Sequence, residues 1–593
     1  HCNCFPVAAG HLVFFVYEKL FMSRLDWIVL AATLISIIMY GIYKSRTSRN
    51  LDGYFLSDRQ MPWWMVLLSV MGTQASAITF LSAPGQAYTD GMRFVQYYFG
   101  LPIAMVIICI TFVPLFHKLK VYTAYEYLEQ RFDVKTRTLT SFLFLLSRGL
   151  STGISVYAPS IILSSLLGWN IYWTNIFMGG LLIIYTVSGG AKAVAYTQQL
   201  QLIIIFIGMF LAAYTVVKLL PEGVGFTEAL HISGKMDRLN VITTGINKNG
   251  FDWTDRFNLF SGVIGGFFLA LSYFGTDQSQ VGRYLTAKST RESRLGLLMN
   301  GLVKVPMQFA ILLIGALVFV FYQFNTSPLF FNDVPVAKVR ETAYKDSLVI
   351  LEQRHQLLAE EKKKLVNVAV QDLQSGTESS DNIESLNKLQ KQQEILRSEV
   401  KRIIKVSGTE NEANDTNYIF LRFVIDYLPK GLIGLLIAVI FLAAWGSIAA
   451  ALNSLASASV VDFHKKFFKK NLSEAEDYRV SKWYTFGWGI FCIITAQFVT
   501  GMGSLIEAVN VLGSWFYGVI LGVFLVAFYM KRIKGHAVFW AALLAECAVI
   551  ALYASTNLAW LWLNAIGAFG VVLISWVLHA TVFKNDMSRL KTV

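Results

Sequence analysis

Thirteen apolar stretches run through the chain, each near or above the roughly 20 residues that a helix needs to cross a bilayer. Hydrophobic residues make up 55% of the 593 residues and charged residues only 15%, well below the roughly 25% of a soluble domain. The sequence therefore predicts an all-α integral membrane protein with about 13 transmembrane helices. The stretches are 26–43, 62–83, 94–116, 138–167, 170–188, 197–220, 256–277, 295–325, 418–462, 480–501, 504–530, 536–555 and 557–583.

Lysine and arginine residues concentrate in the loops on one side of these spans. The short loops on the other side, near 168–169, 502–503 and 556, contain none. Cytoplasmic loops are enriched in Lys and Arg, so we expect the N-terminus outside and the C-terminus in the cytoplasm of a multi-pass protein of the plasma (cytoplasmic or inner) membrane. The net charge of +13 then reflects loop asymmetry and not a nucleic-acid partner.

The second span, within 61–91, is interrupted near its middle. Small and polar residues at Gly72–Ser76 separate two apolar halves, and the second half is expected to stop at Pro84. A helix in lipid must satisfy its backbone hydrogen bonds internally, so small and polar residues in the middle of a span require an explanation. It is either a broken helix whose freed carbonyls bind an ion or a substrate, or a notch where helices pack closely.

The number of spans indicates an inverted repeat. Spans two to six and spans seven to eleven form two units of five, which start on opposite sides because five is odd. The first helix of such units is broken, so the seventh span should be interrupted too, and Gly262, Gly265 and Gly266 cluster there. The predicted organisation is an N-terminal extension outside the fold (1–21), a first flanking helix and cytoplasmic loop (22–60), the first unit (61–220), an external loop (221–255), the second unit (256–325 and 418–530), an inserted external hairpin (326–417), and two flanking helices with a cytoplasmic tail (531–593).

The insertion 326–417 has the periodicity of a helical hairpin. Apolar residues recur every three or four positions over 348–368 and again over 386–403. The pattern predicts two antiparallel helices with a coiled-coil seam, projecting outside the membrane. The hairpin either binds a protein partner or acts as a lid, or it is a passive insertion. The polar residues in the seam register are His355, Lys362 and Gln393.

The ninth span carries a face of small residues. Ala443, Ser447, Ala450, Ser454 and Ser457 step by three or four positions, which places them on one side of a helix. If this face meets the break in the second span, the Ser447 hydroxyl and the Ala443 carbonyl could join freed carbonyls in an oxygen-only cage for a hard cation. The alternative is helix packing alone, with the hydroxyl bonded to the carbonyl four residues earlier.

Six motifs fall in order along the spans. They are PWW at 62–64, AxxF at 77–80, SGGxKAV at 188–194, QVGRYL at 280–285, LNS at 452–454 and GSWFYGVILGVF at 513–524. These motifs resemble the sodium:solute symporter family, and the resemblance covers about 26–583 apart from the insertion. It implies the five-plus-five inverted repeat of the leucine-transporter type with flanking helices, in agreement with the span count.

The resemblance implies a main sodium site between the second and ninth spans. Its ligands are the carbonyls of Gly72, Ala75 and Ala443 and the hydroxyl of Ser447. The family has a second hydroxyl residue directly before Ser447, where this chain has Gly446, so a water or another carbonyl has to complete the cage.

A second sodium site occurs in some family members and uses an Asp on the sixth span and two hydroxyls on the ninth. Those positions hold Gln198, Ala449 and Ala450 here. All three ligands are lost together, so we expect the second site to be absent and one sodium ion to be carried per cycle.

The resemblance also implies a substrate pocket between the two broken helices. Tyr98 stands where sugar-transporting relatives have a Glu, and Ala270 stands where they have an Asn. Both losses argue against a simple hexose. Tyr273 matches the aromatic residue that closes the inner side of the pocket, with an ordinary packed tyrosine as the alternative. The implied pocket residues are Gln74, Thr79, Tyr97, Tyr98, Tyr273 and Lys304.

Three charged residues lie within or at the edge of spans: Arg148, Asp277 and Glu507. Charges in lipid are costly and face the protein interior or the interface. We expect structural ion pairs for all three, although Asp277 could instead accept a proton or pair with Arg283, and Arg148 could attract an anion. Arg93, at the outer mouth, is expected to snorkel.

The sequence predicts a secondary active transporter that imports a small polar or anionic organic solute by symport with one Na⁺ through alternating access. Two alternatives stay open: a proton-coupled or uncoupled transporter of the same fold, and a membrane sensor or scaffold that uses the hairpin. The spans contain no HExxH, paired aspartates or GxSxG, so an enzyme is not expected. The partners implied are the solute, Na⁺ and the lipid bilayer, with no cofactor other than Na⁺ as the coupling ion.

Overall fold

The structure is a computed structural model, and it describes residues 22–45, 51–375, 380–408, 414–469, 473–499 and 504–583. The predicted extension 1–21 and the tail after 583 lie outside the described residues. The α-helices are α1 (Arg24–Ser45), α2 (Leu51–Leu56), α3 (Trp63–Gln74), α4 (Ala77–Asp90), α5 (Leu101–Leu119), α6 (Glu126–Arg131), α7 (Val134–Leu167), α8 (Ile171–Lys218), α9 (Phe226–Lys235), α10 (Gly266–Gly275), α11 (Gln278–Tyr284), α12 (Thr290–Phe324), α13 (Asp333–Val339), α14 (Lys345–Ser375), α15 (Ser380–Val406), α16 (Ile419–Tyr427), α17 (Leu432–Ala458), α18 (Glu474–Ala496), α19 (Leu505–Tyr529), α20 (Gly535–Ser555) and α21 (Leu561–Thr581).

Shorter elements connect these helices. Two strands, β1 (Ile246–Asn247) and β2 (Gly250–Phe251), pair antiparallel in the predicted external loop. The 3₁₀ helices are Ser57–Arg59, Met92–Tyr98 and Thr416–Tyr418, and the π-helices are Ser261–Gly265 and Ser459–Phe468.

The helices account for all thirteen predicted spans. Within the described residues, nine helices are long and apolar enough to cross a membrane, and the bent pair α3–α4 makes a tenth. Ile171–Val187 and Ser261–Gly275 are shorter apolar helices, and α18 occupies the predicted tenth span. The lead-in helix expected before the ninth span is α16.

The second span is broken where the sequence predicts it. Axes of α3 and α4 differ by 61°, and Ala75 leaves the helical region with φ −81° and ψ 79°. The helix restarts at once, because Ser76 is extended and its carbonyl accepts a hydrogen bond from Thr79 N at 2.9 Å. The break therefore exposes backbone groups over about one turn.

Pro84 does not end this span, and the prediction that the helix stops there was wrong. Helix α4 continues through Pro84 to Asp90. A neighbouring backbone lies very close, since a Cβ at Gly315 of α12 would be 2.1 Å from the Pro84 carbonyl oxygen. Proline is tolerated in membrane helices where tightly packed neighbours restore the lost backbone contacts.

Helix α8 contains both the fifth and the sixth span. It is 48 residues long without interruption. A straight helix would separate Tyr185 from Thr197 by about 18 Å along its axis, yet their hydroxyl oxygens lie 2.6 Å apart. The helix therefore folds back between these residues, as two separate crossings require.

The seventh span is interrupted at a different position from the one predicted. The glycine cluster forms a π-helix, Ser261–Gly265, that continues directly into α10. The helix ends only after Gly275, and Thr276 and Asp277 separate α10 from α11.

The glycines in the cluster serve close packing instead. A Cβ at Gly262 would lie 2.2 Å from the carbonyl oxygen of Gln96, and a Cβ at Gly266 would lie 2.3 Å from that of Tyr97. Glycine at these positions lets two backbones approach within the membrane. The cluster thus brings the start of the third span against the seventh.

The inserted segment forms the predicted antiparallel hairpin from α14 and α15. His355, Lys362 and Gln393 are buried in its seam. Val368, which the register also placed there, is 41% exposed, and that part of the prediction was wrong. Val366 and Val370 are buried instead, because residues four apart share a helix face.

The hairpin lies against the external loop and does not project freely. Gln374 Nε2, near the tip, donates to the carbonyl oxygen of Gly223 at 2.7 Å. Arg238 pairs with Glu394 at 3.1 Å. The hairpin and the 221–255 loop therefore occupy the same face of the protein, which we call the hairpin side.

Candidate functional site

Helix α8 supplies a glutamine that joins the broken second span to the ninth span. Gln198 Oε1 accepts a hydrogen bond from the Ser69 hydroxyl at 2.8 Å, and its Nε2 donates to the Gly446 carbonyl at 3.0 Å. The side chain is fully buried. Gln198 stands where a second sodium site would need a carboxylate, and here its neutral amide bridges α3 and α17.

The hydroxyl of Ser447 bonds within its own helix. Its Oγ donates to the carbonyls of Ala443 at 2.9 Å and Ala444 at 3.1 Å. Its oxygen lone pairs stay available, because in these bonds the hydroxyl acts only as a donor. The arrangement is compatible with a cation ligand and equally with the packing alternative.

The position of the missing hydroxyl is filled from α8. A Cβ at Gly446 would lie 2.6 Å from the Gln201 Oε1 atom and 3.3 Å from Gln198 Cγ. An amide oxygen therefore occupies the space beside Ser447 that a larger residue at position 446 would take. Sequence reasoning missed Gln201, whose only signal was its position one helical turn after Gln198.

The predicted cation ligands belong to elements in contact. Helix α17 packs against both α3 and α4. Gly72 lies in the last turn of α3, and Ala75 lies in the break between the two helices. A Cβ at Gly72 would meet Gln198 Cγ at 3.1 Å, so the helix end adjoins the same glutamine. No group of three or more His, Cys, Asp or Glu side chains able to hold a metal occurs in the part of the chain described.

Lys304 is the most unusual charge in the membrane region. It is 0% exposed, and its ammonium group has no hydrogen-bond partner among the described residues. The Nζ atom lies 5.6 Å from the centre of the Tyr98 ring, a cation–π distance. Tyr98 contacts Tyr97 edge-to-face at a centroid distance of 4.3 Å. The structure thus brings together three predicted pocket residues.

A buried polar stripe surrounds Lys304 on α12. Asn300 and Gln308 lie four residues before and after it and are also 0% exposed. Both amide groups lack hydrogen-bond partners within the described segments. Buried polar groups normally have partners, so this stripe marks a site for water or solute. Sequence reasoning missed Asn300 and Gln308, although their spacing of four was the available signal.

The remaining predicted pocket residues near the second and third spans are placed separately. Gln74 is the last residue of α3, and its buried Oε1 has no partner in the described chain. Thr79 lies in the first turn of α4 and is 5% exposed. The Tyr97 hydroxyl donates to Asn510 Oδ1 of α19 at 3.1 Å. Within the described chain, no hydrogen bond or ion pair joins Gln74 or Thr79 to Lys304, although α12 packs against both α3 and α4.

Tyr273 belongs to a charged network with Arg148, Asp277 and Tyr517. The Arg148 guanidinium lies over its ring at 5.1 Å and pairs with Asp277, with Nε at 3.1 Å from Oδ2. Tyr517 contacts both charges, each at 3.1 Å. The structural pair expected for Arg148 and Asp277 is confirmed, and the partner of Asp277 is not Arg283.

The charges at the hairpin side are paired as well. Glu507 bonds to Arg256 at 2.6 Å. Arg93 does not snorkel as expected, since it pairs with Asp90 at 3.1 Å and Asp255 at 2.9 Å. Asp90, Arg93, Asp255 and Arg256 line an open cavity of about 620 Å³ on the hairpin side.

Comparison with known proteins agrees with this architecture. The sequence model of the "Sodium:solute symporter family" matches residues 54–351 and 399–545. The stretch between these matches falls within the hairpin. A solved structure entitled "Substrate-bound outward-open state of a Na+-coupled sialic acid symporter reveals a novel Na+-site" has a TM-score of 0.72 and 23% identity, and covers 94% of this chain and 98% of that chain.

Curated relatives of nearly equal length are also similar. The sodium/sialic acid symporter NanT of Aliivibrio fischeri is 24% identical, with 95% of each chain covered. The human sodium-coupled monocarboxylate transporter 1 is 31% identical over 46% of this chain and 44% of its own length. The fold is that of the five-plus-five repeat expected from the motifs, and the relatives are transporters and not enzymes. The chain belongs to the sodium:solute symporter family of secondary active membrane transporters.

Proposed function

We propose that this protein imports a small anionic organic solute together with one sodium ion by alternating access. The observation that carries the proposal is the fully buried Lys304 ammonium, which faces Tyr98 and has no carboxylate partner among the described residues. An unpaired charge within the membrane costs free energy, so a residue that carries one is first considered as part of a functional site. A carboxylate of the solute provides the missing partner, and the amides of Asn300 and Gln308 supply further hydrogen bonds.

The identities of the relatives support an acidic solute. NanT is named for sialic acid and the human relative for monocarboxylates, and both names denote acids. The tyrosines beside Lys304 offer apolar faces and hydroxyl groups. A simple hexose fits less well, because Tyr98 and Ala270 replace the acid and amide expected in sugar-transporting relatives.

The proposed sodium site uses neutral oxygens only. Its ligands are the carbonyls of Gly72, Ala75 and Ala443, the hydroxyl of Ser447, and the Gln201 amide oxygen in the place of the hydroxyl missing at Gly446. Sodium is a hard cation, and oxygen ligands of this kind suit such ions. We propose a single ion, because the Gln198 amide, at the position of the second sodium site, already hydrogen-bonds to Ser69 and Gly446.

Orientation follows from the basic loops. The hairpin side is proposed to be outside, with the Arg148–Asp277 network closing the cytoplasmic side. The open cavity of about 620 Å³ then lies on the face from which solute and sodium are proposed to enter. The membrane is proposed to be the plasma (cytoplasmic or inner) membrane.

The test is uptake of a panel of organic acids into proteoliposomes with an inward sodium gradient. We expect a Hill coefficient for sodium near 1, since one site is proposed. Ser447→Ala should raise the half-saturating sodium concentration about tenfold, the effect of losing one oxygen contact. Ser454→Ala is the matched control, because its hydroxyl makes the same bond within α17, to Ala450 at 2.8 Å.

The outcomes separate the alternatives. Equal accumulation with choline in place of sodium would contradict sodium coupling and favour a proton-coupled or uncoupled transporter. Uptake of neutral solutes with no preference for acids would contradict the role of Lys304. Absence of uptake for every solute would favour a sensor that uses the hairpin.

A further inference from the structure

A second cavity lies between the hairpin and the membrane part of the protein. Its volume is about 170 Å³. The end of α4 contributes Tyr88 to its wall, the 221–255 loop contributes Arg238, and the hairpin helices contribute His355 and most of the other residues. Thr89 of α4 and Ser327 of the segment before the hairpin also line it. The cavity is separate from the Lys304 site, and none of its lining residues belongs to the proposed sodium or solute site.

The lining of this cavity is basic. Arg238, Arg397 and Lys401 face a single acid, Glu394, around it. Glu394 is 50% exposed at its side chain and pairs with Arg238, so solvent screens its charge. Even when the buried Asp415 behind Arg397 is included, one positive charge remains in excess. The cavity therefore favours an anion.

Arg397 is held in a fixed position. Its Nη2 donates to both carboxylate oxygens of Asp415 at 2.9 and 2.8 Å, and Asp415 is itself fully buried and accepts from Phe331 N at 2.9 Å. The guanidinium lies 4.9 Å from the Phe331 ring centre. Its second amino group, Nη1, is buried without a hydrogen-bond partner in the described part of the protein.

Gln393 provides a second free donor. Its Oε1 accepts from Lys362 Nζ at 2.5 Å. With Oε1 turned toward Lys362, Nε2 is the other end of the amide and is directed away from the lysine. Gln393 is 3% exposed, and its Nε2 has no partner among the residues that the structure describes.

His355 provides a free acceptor. Its Nε2 lies 2.9 Å from the carbonyl oxygen of Ser327, and a carbonyl only accepts, so Nε2 carries the proton. Burial lowers the pKa of His355 to about 4, so the ring is neutral at neutral pH and Nδ1 is a lone-pair acceptor. Nδ1 has no partner within the described ranges, and the side chain is 3% exposed.

We propose that this cavity binds a small hydroxycarboxylate anion. The carboxylate accepts from Arg397 Nη1 and Gln393 Nε2, and the hydroxyl donates to His355 Nδ1. The cavity volume of about 170 Å³ equals about five or six water molecules, which suits an acid of three or four carbons. Bound there, the anion fastens the hairpin to the end of α4. The inference goes beyond the proposed transport activity and does not depend on it.

The experiment measures binding of radiolabelled lactate to the purified full-length protein in nanodiscs. Gln393→Glu keeps the bond to Lys362 but replaces the free donor by a negative charge. Gln392→Glu makes the same charge change at the neighbouring position, which is exposed on the hairpin. We expect at least about tenfold weaker lactate binding for Gln393→Glu and no more than a twofold change, roughly, for Gln392→Glu.

A second measurement tests the hydroxyl contact. Propionate has the same carboxylate as lactate but no hydroxyl, so it should compete about tenfold more weakly with wild-type protein. His355→Phe should abolish this preference. Thermal unfolding of all three hairpin variants checks that they fold. Hydrogen exchange should show lactate-dependent protection of α14 and α15 in the wild type and in Gln392→Glu, but not in Gln393→Glu.

Several results would overturn the proposal. Lactate binding that is absent in the wild type, or unchanged in Gln393→Glu, would do so. An equal loss in Gln392→Glu would show a general charge effect and would also overturn it. If lactate binds only at the Lys304 site, Gln393→Glu should bind it as the wild type does, and the hairpin should gain no protection from hydrogen exchange. This result would contradict the hairpin proposal but not the proposed transport function.

Discussion

The ammonium group of Lys304 lies 5.6 Å from the centre of the Tyr98 ring, and neither residue is more than 6% exposed. The aromatic face offsets only part of the cost of burying a charge. Among the described residues the Lys304 ammonium has no hydrogen-bond partner, and we propose that an anionic solute supplies it. Removing this charge should therefore lower transport of an anion without lowering the stability of the protein.

Lys304→Met should reduce uptake of the anionic solute while leaving the fold intact or more stable. The solute loses a charge-assisted hydrogen bond, so kcat/KM should fall about tenfold or more. The melting temperature should be unchanged or higher, because an apolar residue of similar length replaces an unpaired buried charge. Lys288→Met, on the 54% exposed side chain just before α12, should change neither quantity. A large fall in melting temperature for Lys304→Met would contradict this interpretation.

Asp277→Asn should destabilise the protein strongly. Asp277 is 2% exposed and pairs with Arg148, so its loss leaves a buried guanidinium without its anion, at a cost of about 3–5 kcal/mol. Glu507→Gln breaks a pair whose Arg256 side chain is 57% exposed, and it should cost at most about 1 kcal/mol. Thermal unfolding in detergent compares the two variants, and equal losses would contradict the structural role of the Arg148 pair.

Gly446→Ser should not improve sodium binding by itself. The new Cβ would lie 2.6 Å from Gln201 Oε1, so the serine displaces the amide oxygen that occupies the site, with overpacking of about 1–3 kcal/mol. Gln201→Ala alone should raise the half-saturating sodium concentration. The double variant should restore it, because the serine hydroxyl then takes the vacated position. The measurement is uptake as a function of sodium concentration. If Gln201→Ala leaves the half-saturating sodium concentration unchanged, the amide is not a ligand.

The hairpin should lose stability in mild acid through His355. Burial lowers its pKa from 6.5 to about 4, so between these values the unfolded hairpin binds a proton that the folded one does not. Stability is therefore fully present above pH 6.5 and falls as the pH decreases toward 4, by about 3 kcal/mol. The charged groups facing the ring are Lys362 and Arg397, and both oppose protonation. Hydrogen exchange of α14 and α15 measures the effect, and His355→Phe should abolish the part of it between these pH values.

Local sequence was sufficient for the spans, the break at Ala75 and the hairpin, because apolar length, helix-breaking residues and seam periodicity are local properties. It failed at Pro84 and at Gly262 for one reason. Proline and glycine weaken a helix in isolation, but here a backbone packed closely against them, at Gly315 and at Gln96, makes the helix continuous. Such contacts join residues far apart in the chain and leave no local pattern.

The site was only partly predictable for a related reason. Motif positions identified Lys304 and Tyr98, which the structure places in contact. Motif positions also showed that Gly446 lacks a hydroxyl, but not that Gln201 from another span fills the space. Asn300 and Gln308 were overlooked because the sequence does not show which face of a long membrane helix is buried. Without that information, a polar residue on the helix cannot be assigned to a site.

The hairpin joins parts of the protein that belong to different repeat units. Its base continues into α12 and α16 of the second unit, whereas Gln374 near its tip bonds to Gly223, just after the first unit. With 31 residues, α14 is a lever about 46 Å long, on which a rotation of about 5° at the base becomes a displacement of about 4 Å at the tip. If the two predicted units move against each other, the contact between Gln374 and Gly223 has to shift or the hairpin has to bend, so we expect a label at position 374 to report that motion.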